Sequence, residues 1–326
     1  MQRLRLPGVQ LGALTTPAVF VLAVVFLSIF TRNHLFLDPR NLGAVAKLTP
    51  DLGVVALGVG MLMICGEFDL SVASIVAFNS YIFTQLLIAG IDPFLAFVIV
   101  LPIGAVFGLI NGVILVRTGL PSFIVTLSTM LFWRGLLYGI SHMMPISILN
   151  YVSPSSAFAN LLTGQVGLVP FQILWFVGFA VILGVVLHFH RFGNWVYATG
   201  SNQEAARAMG INVGMVKVVC YMIIGFLCAF SAVMQSARLG SFAATQGIGY
   251  ELQAIAAVVV GGTALTGGVG TMLGICLGIF IIQIIQNGII LLQAPVYGVQ
   301  TFIGIAVILF VILNNLVSRQ VARRGV

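Results

Sequence analysis

Apolar runs long enough to cross a membrane recur along this chain from residue 14 to residue 317, with no long polar stretch between them. A helix needs about 20 consecutive apolar residues to traverse the hydrocarbon of a bilayer. The pattern therefore predicts spans near 12–31, 44–65, 70–89, 94–116, 122–140, 170–189, 216–236, 252–267, 271–292 and 298–317. Those near 44–65, 122–140 and 252–267 are interrupted or short. A soluble domain carries about 25% charged residues, whereas this chain carries 6% against 60% hydrophobic. The expected fold is an all-α polytopic membrane protein of about ten transmembrane helices, forming one domain over 1–326. No region is left for a soluble catalytic domain.

The net charge of +7 does not point to nucleic acid, because the 14 Lys and Arg residues are scattered through short loops rather than gathered on a basic face. Membrane topology explains them. With the N-terminus inside, Arg3, Arg5, Arg117, Arg191, Arg207, Lys217, Arg319, Arg323 and Arg324 fall on the cytoplasmic side. Arg32, Arg40, Lys47 and Arg238 fall outside, a bias of nine to four that obeys the positive-inside rule. Both termini are then cytoplasmic. A cytoplasmic loop runs over 190–214 and an external segment over 141–169.

Arg3 and Arg5 followed by the apolar run from Pro17 to Phe30 imitate a signal peptide, but Ser28 to Asn33 offers no small-x-small cleavage site, so a retained first span is expected. Cys65, Cys220, Cys228 and Cys276 lie in apolar segments without metal-ligand spacing and are read as packing residues.

An internal echo links Asn111-Gly112-Val113-Ile114-Leu115-Val116 to Asn287-Gly288-Ile289-Ile290-Leu291-Leu292. The two lie five spans apart and so run in opposite directions. A weaker correspondence sets Gly66 to Ser71 against Gly261 to Gly268. Inverted repeats with interrupted helices are characteristic of transporters, whose halves rock to open on alternate sides.

The longest polar stretch expected inside runs from Arg191 to Asn212. Within it Ser201 or Asn202 can cap a helix over Gln203 to Met209, Glu204 sits near the positive end, and Gly210 supplies a stop. Here the chain resembles the sugar-type permeases of ATP-binding-cassette importers, including those for ribose, xylose, galactofuranose and autoinducer-2. The resemblance rests on Gly66-Glu67-Phe68-Asp69-Leu70-Ser71-Val72, Gly108-Leu109-Ile110-Asn111-Gly112, Leu120 to Leu127, Gly200 to Asn212, Gly249 to Val259 and Gly261-Gly262-Thr263. These markers cover about residues 55–290 in the expected order. The chain departs from commoner family forms at Glu67-Phe68, where Gly-Ile is frequent, and at Ala73, where Gly is frequent.

The resemblance implies that Asn202, Gln203, Glu204, Ala205, Ala206, Arg207, Ala208, Met209 and Gly210 form the element that couples to an ATPase subunit. It also implies a cytoplasmic ATP-binding partner that uses ATP and Mg, a periplasmic sugar-binding protein, and a second permease subunit, identical or related. This chain would bind no cofactor of its own. It contains no GxxxxGK[ST] phosphate loop, and its glycine-rich Gly261 to Gly270 stretch lacks a lysine to reach a phosphate.

A neutral polyol needs uncharged hydrogen-bonding groups along its path. Asn79, Asn111, Thr126, Ser128, Gln283, Gln286 and Asn287 are the candidates, with Gln283 and Asn287 on one helical face. Their rival role is interhelical hydrogen bonding. Asp69, or Ser71, is expected to cap the third helix. Arg134 is charged within a span and is expected either to snorkel or to pair with Glu251 or Asp51. His188 and His190 suit a helix C-terminal dipole better than a metal. An ion-coupled secondary transporter or channel is the alternative reading, which carboxylates spread through the bundle would favour; Glu67, Asp69 and Glu251 instead lie near helix ends.

Overall fold

The structure is a computed structural model that describes residues 11–293, together with the backbone at 301 and 304. The expected span at 298–317, and Arg3, Arg5, Arg319, Arg323 and Arg324, lie outside the described residues. Twelve α-helices run in chain order among those described: α1 Leu11–Phe30, α2 Pro39–Ile64, α3 Val72–Ile88, α4 Pro93–Thr118, α5 Ser122–Ser141, α6 Ala157–Thr163, α7 Phe171–Phe189, α8 Arg191–Ser201, α9 Gln203–Ala208, α10 Val213–Leu239, α11 Tyr250–Val260 and α12 Met272–Leu291. By length and composition α2, α4, α5, α7, α10 and α12 can each cross a membrane, while α1, α3 and α11 contribute shorter apolar helices. These nine correspond to nine of the expected spans. Among the described residues sheet is confined to two pairs of two-residue strands, Ile146–Ser147 (β1) with Ser241–Phe242 (β4) and Gln165–Val166 (β2) with Val169–Pro170 (β3).

One end of the bundle carries α8 and α9 and is called proximal here; the other is distal. Two helices that run from distal to proximal start with the same device. Asp38 accepts from Arg40 N at 2.7 Å ahead of Pro39, and Asp92 accepts from Phe94 N at 2.9 Å ahead of Pro93. In each case an N-cap carboxylate satisfies amides left free at the first turn, and proline occupies a position whose N–H would have no partner.

Helix α2 is central: every residue from Thr49 to Ile64 is buried. Its neighbour α10 packs against α4 at backbone distance. A Cβ added at Gly108 would lie 1.9 Å from the Tyr221 carbonyl oxygen, and one at Gly225 would lie 2.0 Å from that of Gly104. With Gly112 facing Val218, the four-residue glycine spacing on α4 allows this approach. Such packing drives helix association in lipid, where burial of apolar surface gives little.

Two spans are broken. The chain leaves α2 at Ile64 and passes through a non-helical segment to Ser71 before α3 starts; it leaves α10 at Leu239 and passes through another to Gly249 before α11 starts. Ser74, in the first turn of α3, donates to Met130 O midway along α5, and Gly247 packs on Ala73 and Val76. The two short helices therefore start beside each other inside the bundle, having entered from opposite ends. This arrangement fits an inverted repeat, but its equivalent segments are 65–71 and 240–249. The expected match of Gly66 to Ser71 with Gly261 to Gly268 does not hold. Those segments meet at the proximal end, where Gly268 N donates to Ile64 O at 2.8 Å and Gly267 lies against Gly66, whereas inverted equivalents occupy opposite ends.

Backbone released from a helix inside a membrane needs other partners. For the first break, Ser122 Oγ accepts from Phe68 N at 3.1 Å, Tyr221 donates to Phe68 O at 2.7 Å, and Asp69 accepts from both Ser71 N and Ser71 Oγ. Asp69 thus orders the turn before α3 rather than capping the helix, since Ser71 is the N-cap residue and makes no side-chain cap bond. For the second break, Arg134 Nη1 donates to Ala244 O at 2.6 Å and to Gln246 O at 3.2 Å. Arg134 therefore binds backbone carbonyls and not the expected acids, and Asp51 is taken by Arg238 at 2.5 Å.

Over the distal end, 142–170 folds as a lid of α6 and the β2–β3 hairpin. It is anchored by Phe158 among Phe83, Phe94 and Phe97 and by Trp175, which donates to Leu161 O.

Candidate functional site

The proximal surface is built by α8 and α9. The hidden element is α8, whose polar sequence with two glycines reads as loop; His190 caps it by accepting from Phe192 N at 3.1 Å. Its glycines are required by close approach. A Cβ at Gly200 would lie 1.9 Å from Ile64 O, and one at Gly193 would lie 2.0 Å from Leu187 O. The helix is thereby seated on the end of α2 and on the 261–270 loop. Tyr197 adds a bond to Gly270 O at 2.7 Å, and burial pushes its phenol above the ordinary range, which keeps it a donor.

After α8 the chain turns at Asn202, whose Oδ1 accepts from both Glu204 N and Ala205 N at 3.0 Å, and α9 follows. The helix ends at Ala208, one residue short of the expected Met209. Gly210 at φ +82° lets its own N–H and that of Ile211 return to the carbonyls of Arg207 and Ala206. Ala206 is buried, whereas Asn202, Glu204, Ala205, Arg207, Ala208, Met209 and Gly210 are exposed and Gln203 is half-buried. The short helix thus offers an outward face with small side chains at its centre and charge at its edges.

Gln203 turns inward. Its Oε1 accepts from Lys217 Nζ of α10 at 3.1 Å, and the same ammonium lies 2.5 Å from Glu67 Oε1 in the break before α3. Both charged side chains are only 11% exposed, so the pair is held largely out of water. Beside it a cavity of about 370 Å³ is lined by Glu67, Lys217, Gln203, Arg207, Leu115 and Pro121, among others. Three elements, the surface helix, the first broken span and α10, are therefore joined through one ammonium. Spacing gives no sign of this contact, because Glu67 and Lys217 are far apart in the chain.

The uncharged polar residues do not form one cluster. Asn79 donates to Ile75 O, Thr126 to Ser122 O and Ser128 to Ile124 O, each within its own helix. Asn111 donates to Ser71 Oγ at 2.7 Å, tying α4 to the start of α3. On α12, Gln286 donates to Gln253 of α11, and Asn287 exchanges two bonds with Asn41 of α2, while Gln283 is buried. Ser128 alone among the seven is exposed.

Cys65, Cys220, Cys228 and Cys276 are free thiols, the first three buried. Among the described residues no group of three or more His, Cys, Asp or Glu side chains converges to hold a metal. His188 accepts from Met272 N at 3.3 Å through Nε2, a packing contact.

Residues 41–312 match the family described as branched-chain amino acid transport system / permease component. The ribose import permease protein of Bacillus subtilis (strain 168) is 36% identical over 299 residues, covering 91% of this chain and 90% of that protein. The fructose import permease protein of Bifidobacterium longum (strain NCC 2705) is 31% identical over 323 residues, covering 95% and 94%. An inner membrane ABC transporter permease protein of Escherichia coli (strain K12) is 34% identical, covering 93% and 91%. With likeness of this extent to proteins of one kind, the chain belongs to this permease family and is the membrane-spanning component of an ATP-binding-cassette importer, not its ATP-hydrolysing subunit.

Proposed function

We propose that this permease passes a simple sugar across the inner membrane. The observation that carries the reading is that relatives matched along nine-tenths or more of the chain are named for import of ribose and of fructose. Energy comes from a separate ATPase subunit that uses ATP and Mg, with Asn202 to Gly210 as its contact. The capped, outward-facing geometry of α9 supports that role, as does its link through Gln203 and Lys217 to the first broken span. The proximal end with loop 190–214 faces the cytoplasm, the side to which the charge bias assigns both termini. The 141–169 lid faces the periplasm and receives the sugar-binding protein. The permease works as a pair, with a second copy or a related chain, around a central path.

The path follows the exposed face of α5, where Ser128 lies, and the start of α11. Asn79, Asn111, Thr126, Gln286 and Asn287 hold its walls through hydrogen bonds, and Gln283 is buried on α12. Asp51 and Glu67 are paired with Arg238 and Lys217, which leaves neither free to carry a coupling ion.

The test is ATP-driven uptake in proteoliposomes holding this chain, its ATPase partner and a binding protein, with Glu204→Arg and Ala205→Gly compared with the wild type. Loss of coupling in both folded variants supports the assignment. Undiminished uptake in both refutes it, and uptake by this chain without ATP would establish the ion-driven alternative instead.

A further inference from the structure

A second cavity, of about 160 Å³, opens where the two short helices start side by side. Its lining includes Ser74 from α3, Met130, Arg134 and Tyr138 from α5, and Ile248 and Glu251 at the start of α11. Charged side chains inside a bilayer are expensive and are paired or serve a path. Here the two charges share a cavity without forming an ion pair within 4 Å: the ion pairs among the described residues are Lys217 with Glu67 and Arg238 with Asp51.

The structural duty of Arg134 occupies one nitrogen. Nη1 binds the carbonyls of Ala244 and Gln246, and the remaining guanidinium donors make no hydrogen bond among the described residues. Glu251 sits in the first turn of α11, where a carboxylate suits the helix dipole, but its Oε2 is shut away from solvent and accepts no bond. The cavity thus presents spare donors on one wall and an unfilled acceptor on another.

We propose that this cavity is a transient binding site for a neutral polyhydroxyl solute, held between Arg134 and Glu251. The proposal rests on the sugar-importer reading and names where its cargo pauses. Opposed charges select for neutrality: an anion is repelled by Glu251 and a cation by Arg134, whereas a sugar hydroxyl donates to one and accepts from the other. Tyr138 and Ser74 add hydroxyls at the rim. The volume is roughly that of five waters in the liquid, below the range of drug-sized pockets, so it suits a monosaccharide and excludes an oligosaccharide. The position also fits, because transporters place cargo sites where broken helices of the two repeats meet. The surrounding exposed surface, Leu131, Ile248 and Leu252, is apolar, so the polar patch is small and release is easy.

The experiment uses the assembled importer carrying Met130→Cys in a Cys276→Ser background, labelled with a small thiol reagent, and the best-transported member of a panel of pentoses and hexoses as probe. The sugar is expected to slow labelling at least threefold, and adding Glu251→Gln is expected to abolish that protection at an unchanged thermal midpoint. Should Glu251→Gln fail to fold, Tyr138→Phe is read in its place, with weakened protection expected. Absence of protection in an importer that still takes up the sugar overturns the site and leaves the importer reading standing, as does protection that survives in the folded variants. If no sugar of the panel is taken up by the wild-type assembly, the reading beneath the proposal fails instead.

Discussion

Lys217 Nζ lies 2.5 Å from Glu67 Oε1, and this contact ties α10 to the break that precedes α3. Removing one member of a buried pair strands the other charge, at a penalty of about 3–5 kcal/mol, whereas replacing both by apolar or neutral groups is often nearly neutral. Lys217→Met should therefore lower the thermal midpoint in detergent, and Glu67→Gln combined with Lys217→Met should recover most of it. Coupling should behave differently. The ammonium also holds Gln203 of α9, so the double variant stays stable yet shows weakened stimulation of the partner ATPase. Full stimulation in the double variant would mean that the ammonium transmits nothing.

Close helix contact makes a second prediction sharp. At Gly108 an added methyl would meet the backbone of α10, with the Tyr221 carbonyl oxygen 1.9 Å away, and neither helix can yield locally. Gly108→Ala should cost more than the roughly 1–3 kcal/mol usual for overpacking and reduce folded yield. Gly178→Ala on α7, where nothing lies within 4 Å, should shift stability by no more than about 1 kcal/mol. Equal midpoints for the two variants would refute the α4–α10 packing.

What could be read from sequence divides along physical lines. Helices α5, α7 and α12 fall within two residues of the spans expected at 122–140, 170–189 and 271–292, because bilayer thickness imposes a length that hydropathy reports directly. Helix α11 ends at Val260 rather than near 267 because Gly262 takes φ +87° in the turn that follows, and an apolar average does not register backbone conformation. Helix α8 is masked in the sequence for a related reason. Its glycines look like loop signals, but at Gly200 the missing side chain serves contact with α2. The Asn202 cap and Gly210 stop were legible because capping is local chemistry. The partners of Lys217 and Arg134 were not, since one lies far along the chain and the others are backbone carbonyls exposed only because a span is broken.

Those carbonyls set a third prediction. Arg134→Leu should leave Ala244 O and Gln246 O without their donor, and each buried unsatisfied group costs about 1–3 kcal/mol. The loss should concentrate in the 240–249 segment, visible as faster amide exchange there while α2 and α4 stay protected. Arg134→Lys can keep one bond and should lose less. A uniform rise in exchange across the bundle would show that Arg134 supports the whole fold rather than this break.

The surface helix α9 gives the last prediction. Two backbone amides, those of Glu204 and Ala205, bond to a single side-chain oxygen of Asn202, and in a helix of six residues that cap supplies much of the local order. Asn202→Ala should weaken it by about 1 kcal/mol, a loss too small to unfold a protein held by α2 and α10. If α9 works as a rigid projection into the ATPase, its fraying should lower coupled transport several-fold with little change in overall midpoint. Met209→Asp separates order from contact, because Met209 is 69% exposed and caps α9 through its backbone N–H, which the substitution keeps. It should leave α9 intact, yet weaken association by placing an unpaired charge in the buried interface. Asn202→Ser can restore the acceptor and should restore transport. Rescue by serine, with failure of Met209→Asp, is the pattern expected of a docked helix. If all three variants transport at the wild-type rate, the ATPase grips the permease elsewhere.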